Sequence, residues 1–270
     1  MEQRLKYIKG FDGLRAVSIL LVLLTHLGLS DFIPNTSFVM DRLWFIISGD
    51  TGVQMFFTLS GFLITLILLK EKKDTGSIKF GRFYLKRFLR LLPPLLILYP
   101  LVLIAMLNGW IIQSSTGLIY SVFYIYNFIP NYAYTSELGH TWSLAVEEQF
   151  YFTWPFVLAF IRDRRVVKAI TIIVIILSAF LLFYIPSFEM AQEYRMNRWF
   201  LPAIAPIMIG SLGAVVYSSN KERVEEKLQS KWTVLILCLL LFISPLYFPK
   251  VFLITVPIVQ SFGLSLLLLW

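Results

Sequence analysis

The sequence predicts an all-α fold: a polytopic membrane helix bundle with about eight visible spans, in one domain over residues 1–270. Three observations predict it. Hydrophobic residues make up 58% of the chain and mean hydropathy is +0.75, more apolar matter than a water-soluble domain of this length needs. The apolar residues fall in runs of roughly 20, the length that crosses a bilayer. Of the 24 Lys and Arg, 20 lie in alternate connections between those runs. Basic residues accumulate on the cytoplasmic side of a membrane protein, so this pattern puts the N-terminus in the cytoplasm.

In order, the spans are 14–30, 53–69, 91–107, 142–161, 169–185, 199–217, 232–248 and 251–270. The first follows a basic N-terminus as a signal peptide would. No small-residue cleavage site follows His26, so it reads as retained. Two shorter apolar pieces do not read as spans. Residues 38–47 suit an interface, and 117–129, rich in Tyr and Asn, suit an interfacial or re-entrant segment. A span there would turn the later basic loops outward. The sequence stops in "LLLLW" with no polar tail, which reads as a protein cut short, with further spans to follow.

Composition also excludes. Cys238 is the single cysteine, so no intramolecular disulfide forms. With His26 and His140 the only histidines, no spacing suggests a metal site. The net charge of +8 sits in the loops that set topology, which argues against nucleic acid as the partner.

Polar residues inside the spans carry the functional signal. On the first helix, eleven residues turn about 1100°, or three turns and some 20°, so Arg15 and His26 share a face with Ser18 and Val22. The rise of about 16 Å between them puts Arg15 at the cytoplasmic boundary and His26 near mid-depth. Arg15 can snorkel; His26 cannot, and burial favours its neutral, proton-accepting form. His26 reads either as a packing hydrogen bond or as a base. In span two, "GVQMFFTLSGFLIT" offers Gln54, Thr58 and Ser60, with Gly61 open to close approach by a helix or ligand. Ser60 lacks the Gly-x-Ser-Gly context of an intramembrane nucleophile, so it reads as a packing or hydrogen-bonding residue. "FGRFYLKRFLRLLPPLL" sets Arg87 and Arg90 three apart on one helical face, before Pro93, Pro94 and Pro100. Lys70, Lys72 and Lys73 read as ordinary cytoplasmic anchors, whereas paired guanidinium groups suit an anionic ligand. In "HTWSLAVEEQFYFTWP", Ser143, Glu147 and Tyr151 form one stripe at i, i+4, i+8. Glu148 points roughly 100° away, toward water or another helix.

These stretches together resemble the acyltransferase family 3, the integral-membrane O-acyltransferases of bacterial surface polysaccharides. "FDGLRAVSILLVLLTH", "GVQMFFTLSGFLIT", "KRFLRLLPP" and "HTWSLAVEEQFYFTWP" match its motifs in order and spacing over residues 11–155. The resemblance implies a multi-pass protein of the bacterial cytoplasmic membrane with about ten spans, against the eight visible here. It would move an acyl group, often acetyl, from cytoplasmic acyl-CoA to a hydroxyl of a carbohydrate or glycolipid acceptor, with membrane lipid around it and no metal. It implies His26 as the catalytic histidine, Arg15 as its partner arginine and Glu147 as the motif glutamate, which we take as the second catalytic residue, orienting the acceptor or pairing with His26. We extend it to Arg15, Arg87 and Arg90 as donor-binding residues and to Ser60, Ser143 and Tyr151 as substrate-binding residues. Arg198 matches a family arginine loosely. A glycan or lipid exporter that performs no acyl transfer is the rival function, and a scaffold the blander one.

Overall fold

The computed structural model describes residues 11–28, 48–111, 115–219 and 261. Among these the fold is all-helical, with one isolated antiparallel bridge between Pro130 and Tyr194. The principal helices are α1 (Phe11–His26), α2 (Gly49–Thr75), α3 (Phe80–Leu107), α4 (Ser115–Val122), α5 (Thr141–Phe160), α6 (Arg164–Tyr184) and α7 (Ala205–Ser219). Three helical stretches are long and apolar enough to cross a bilayer: Gly49–Thr75, Phe80–Leu107 and Arg164–Ser187. The first six predicted spans each meet a helix; 38–47, 232–248 and 251–270 lie outside the described residues, Ser261 excepted.

The differences are informative. The first helix ends at His26, four residues short of the predicted boundary, so the imidazole occupies its last turn. Helix α3 begins eleven residues before the predicted span and takes Arg87 and Arg90 into its body. It continues through Pro93, Pro94 and Pro100, although each proline withholds one N–H from the ladder. Helix α4 has eight residues, about 12 Å at helical rise, far short of a bilayer. It and the 3₁₀ turn Tyr126–Phe128 replace a span over 117–129, as expected.

The chain forms two compact units. One comprises residues 1–70, 163–183 and 204–270, the other 71–162 and 184–203. In the first, Phe11, Leu59, Phe62 and Ala214 make a core from α1, α2 and α7, with the Phe11 and Phe62 rings 5.6 Å apart. The helices approach closely because glycines face backbone. A Cβ on Gly61 would fall on the carbonyl of Ile207, and one on Gly210 on that of Thr58. Ser211 Oγ bridges the same crossing, donating to Ile207 O at 3.0 Å and to Gly61 O at 3.3 Å. Small residues with one polar link are how helices associate where lipid removes the hydrophobic drive. Gly52 serves α1 likewise: a Cβ there would meet Ser18 O at 2.6 Å and Val22 Cγ2 at 2.9 Å.

In the second unit, Val102, Tyr126, Ile129, Ala133 and Leu138 are the core, under the loop after α4. Lys72 closes the C-terminal end of α5, its Nζ donating to the carbonyls of Leu158, Ala159 and Ile161. Those carbonyls have no helical N–H partner and carry the negative end of the helix dipole. In the first unit Arg164 does the same for α7, donating to Ser218 O at 2.8 Å.

Candidate functional site

Aromatic residues on α3 and α5 recur so that the two helices meet ring on ring. Phe80 stacks on Phe156 at 4.8 Å, and the Tyr84 hydroxyl donates to Phe152 O at 3.0 Å. One turn further along α3, Arg87 lays its guanidinium 3.7 Å above the Tyr151 ring. This is a cation–π contact that holds the charge in an otherwise apolar wall. Beside this contact lies a cavity of about 570 Å³, within the usual range for a small-molecule site. Arg87, Glu148, Gln149 and Tyr151 line it from the two helices, and Phe123 and Tyr124 from the loop after α4. Glu148 lies within reach of the Arg87 charge but forms no ion pair with it. Its Oε1 is buried and has no hydrogen-bond partner among the described residues.

The loop wall is held by one side chain. Gln149 Nε2 donates to Tyr124 O at 2.9 Å and to Asn127 Oδ1 at 2.9 Å. Asn127 Nδ2 returns a bond to Gln149 Oε1 at 3.3 Å. Asn127 is 1% exposed, so an unpaired amide there would be costly. Irregular backbone beside spanning helices is tolerated only where protein satisfies it, and Gln149 does so here. The bond also stabilises Tyr124 at φ +56°, a left-handed conformation rare for a residue with a side chain. Burial pushes the Tyr124 phenol up to about 12, with the Glu148 charge adding to the shift. It therefore remains a hydroxyl donor at neutral pH.

His26 belongs to the other unit. Its Nδ1 lies 2.7 Å from Val22 O. A carbonyl only accepts, so Nδ1 carries the hydrogen and the neutral ring keeps its lone pair on Nε2. The residue is exposed at the end of α1. Arg15 holds the expected face three turns back, with Nη1 4.0 Å from Asp12 Oδ1.

Of the residues singled out from sequence, Arg87 and Tyr151 meet at the cavity. Arg90, on the same helix, is exposed and does not line it. Glu147 is buried at 6% exposure, away from the cavity lining, and Ser60 is buried at 5% within α2. The Ser143 hydroxyl donates to His140 O at 3.0 Å, inside the first turn of α5. Arg198 donates from Nη1 to the Tyr134 hydroxyl at 3.3 Å and lies 5.1 Å from the Trp142 ring. Sequence reasoning missed Glu148, Gln149 and Tyr124. The signal for Glu148 was its i, i+3 relation to Tyr151, as good a shared face as the i, i+4 stripe that favoured Glu147.

Comparison with known proteins adds a second line. A model described as an acyltransferase domain matches residues 8–270. A candidate O-acetyltransferase of Staphylococcus aureus (strain COL) is 36% identical over 58% of this chain and 25% of its own length. The peptidoglycan O-acetyltransferase OatA of Listeria monocytogenes is 33% identical over 70% of this chain and 31% of its own length. The O-acetyltransferase OatA of Staphylococcus aureus (strain NCTC 8325) is 32% identical over 63% and 28%. The matched region is thus about a quarter to a third of the length of these curated relatives. No solved structure matches the chain.

Proposed function

The chain belongs to this acyltransferase family, and from that premise we propose that it is an integral-membrane O-acyltransferase. It takes an acetyl group from cytoplasmic acyl-CoA and passes it to a hydroxyl of a carbohydrate at the cell surface. The observation that carries this reading is the state of His26: Nδ1 is committed to Val22 O, and Nε2 is the nitrogen that accepts a proton.

Nε2 takes the proton from the acceptor hydroxyl as its oxygen attacks the thioester carbonyl. The new O–C bond forms, the C–S bond breaks, and the thiolate leaves to take up a proton as coenzyme A. General-base help of this kind contributes roughly 10²–10⁴-fold. The same lone pair can instead attack the thioester itself, giving an acyl-imidazole that the acceptor then discharges. A burst of coenzyme A released without acceptor distinguishes that route from direct transfer. Arg15 supports His26 from the same helical face and, with Arg87 and Arg90, holds the donor; Glu147 is the second catalytic residue and orients the acceptor, and Ser60, Ser143 and Tyr151 bind substrate.

We place the N-terminus in the cytoplasm and count eight spans. The charge asymmetry supports that orientation, and two contacts fit its grouping of loop ends on one side. Lys72 binds the end of α5, which brings the last turns of α2 and α5 together. Arg164 binds the end of α7, joining the start of α6 to it. Both are the loop ends that the charge asymmetry assigns to the cytoplasm.

The test is transfer of label from acetyl-CoA in inside-out vesicles, with mass spectrometry of surface polysaccharide for the ester. His26→Ala should lower transfer by about 10²–10⁴-fold while the protein stays in the membrane. Full activity in that variant removes His26 from catalysis. Cargo movement with no ester formed makes the protein an exporter instead.

A further inference from the structure

The cavity beside α3 and α5 has walls made mostly of rings, so its few polar groups decide what enters. Several are already occupied. The Tyr84 hydroxyl donates to Phe152 O, and the Thr153 hydroxyl donates to Gln149 O at 3.0 Å. All the amide atoms of Gln149 are engaged with Tyr124 and Asn127. Three groups remain open. Arg87 stacks on Tyr151 and Phe83 but makes no hydrogen bond to the described residues. The Tyr124 hydroxyl likewise has none, and Glu148 Oε1 is buried without one. The set is two donor groups, the guanidinium and the phenol, and one acceptor group, the carboxylate, in one hollow.

That set rejects two ligand classes. A phosphate would gain from Arg87 but would meet the Glu148 carboxyl in the same space, whose oxygens repel it whenever that group is ionised. A saccharide brings several hydroxyls, and most would face rings with no partner, a penalty for each. A secondary amide fits. It has one N–H and one carbonyl oxygen, and its flanking methylenes suit the aromatic walls.

We infer that this cavity binds a slender uncharged chain through a secondary amide, Glu148 accepting from the amide N–H while Arg87 and the Tyr124 hydroxyl donate to its oxygen. The inference rests on the acyl-CoA reading in one respect: in that donor the matching segment is the pantetheine arm. The donor's phosphates then bind outside the cavity. Glu148 thereby becomes a binding residue of the site, and Gln149 a positioning residue that keeps Tyr124 in the wall.

The experiment uses the purified full chain in detergent micelles, with pantetheine as the probe, because it carries two secondary amides and no phosphate. Binding is read by calorimetry and by the shift in thermal unfolding. Wild type should bind pantetheine, and Glu148→Gln and Arg87→Met should each weaken it by about tenfold or more, as expected for losing a charged hydrogen bond. A second arm leaves the protein untouched. Pantetheine analogues with an ester in place of one or the other amide lose that N–H, and one of them should bind at least about tenfold more weakly. No binding of pantetheine to wild type overturns the inference. So does binding by both variants as tight as by wild type, binding of both ester analogues as tight as of pantetheine, or displacement of pantetheine by a saccharide. Label transfer in vesicles is scored separately. Transfer without pantetheine binding sinks the inference and spares the acyltransferase reading; binding without transfer does the reverse.

Discussion

The crossing of α2 with α7 and the meeting of α3 with α5 are built on opposite terms. In the first, Gly61 and Gly210 let the backbones touch, and Ser211 links them with no room for anything else. In the second, the helices meet through stacked rings, and a hollow of about 570 Å³ lies beside the contact. The difference teaches where to look for function in a chain this apolar. A tight crossing uses its polar atoms internally. A hollow keeps polar atoms open, and a carboxylate among rings is costly without a partner or a proton.

Substitutions that fill or loosen the two contacts test that distinction. The largest effect should come from Gly61→Val or Gly210→Val. Overpacking typically costs about 1–3 kcal/mol, and here the added carbons strike backbone that cannot rotate away, so the loss should reach or pass that range. Yield and monodispersity after detergent extraction report it; a normally folded Gly210→Val protein would show that the crossing is not tight. Next is Gln149→Leu, which leaves Tyr124 O and the buried Asn127 amide unpaired. Each group left so costs about 1–3 kcal/mol, and Tm should fall with protease cleavage appearing in the 123–128 loop. Tyr84→Phe should cost less, about 1 kcal/mol for the bond to Phe152 O, with the cavity widened rather than lost. The smallest change belongs to Gly81→Ala, because nothing lies within 4 Å of the new carbon. Helix propensity there favours alanine by at most about 1 kcal/mol, so Tm should hold or rise slightly. A Gly81 variant as damaged as a Gly61 variant would erase the contrast.

Much of the fold was legible because spans are local. A run of apolar residues crosses lipid whatever its neighbours do, so helices over the first six predicted spans followed from hydropathy. The short segment after α3 was legible too, because its length and its Tyr and Asn content argued against spanning, and the charge balance agreed. The site was legible only in part. Arg87 and Tyr151 stood out by spacing and do meet. Glu147 and Glu148 are adjacent and equally acidic, and periodicity along one helix ranks them by the residues on that helix alone. What separates them is α3 and the 123–128 loop, from distant parts of the chain. Lys72 shows the same limit: it reads as an anchor by sign of charge, yet it binds three carbonyls of α5.

What the sequence by itself determined is the class of molecule and the inventory of polar residues placed in its spans. Hydropathy, charge asymmetry and helical spacing are properties of neighbours in the chain. Tertiary structure alone decided which glycines became crossing points, which carboxylate came to line the hollow, and which amide would hold the loop. Those outcomes depend on groups brought together through space, where a buried polar atom is either satisfied by a distant residue or left for a ligand.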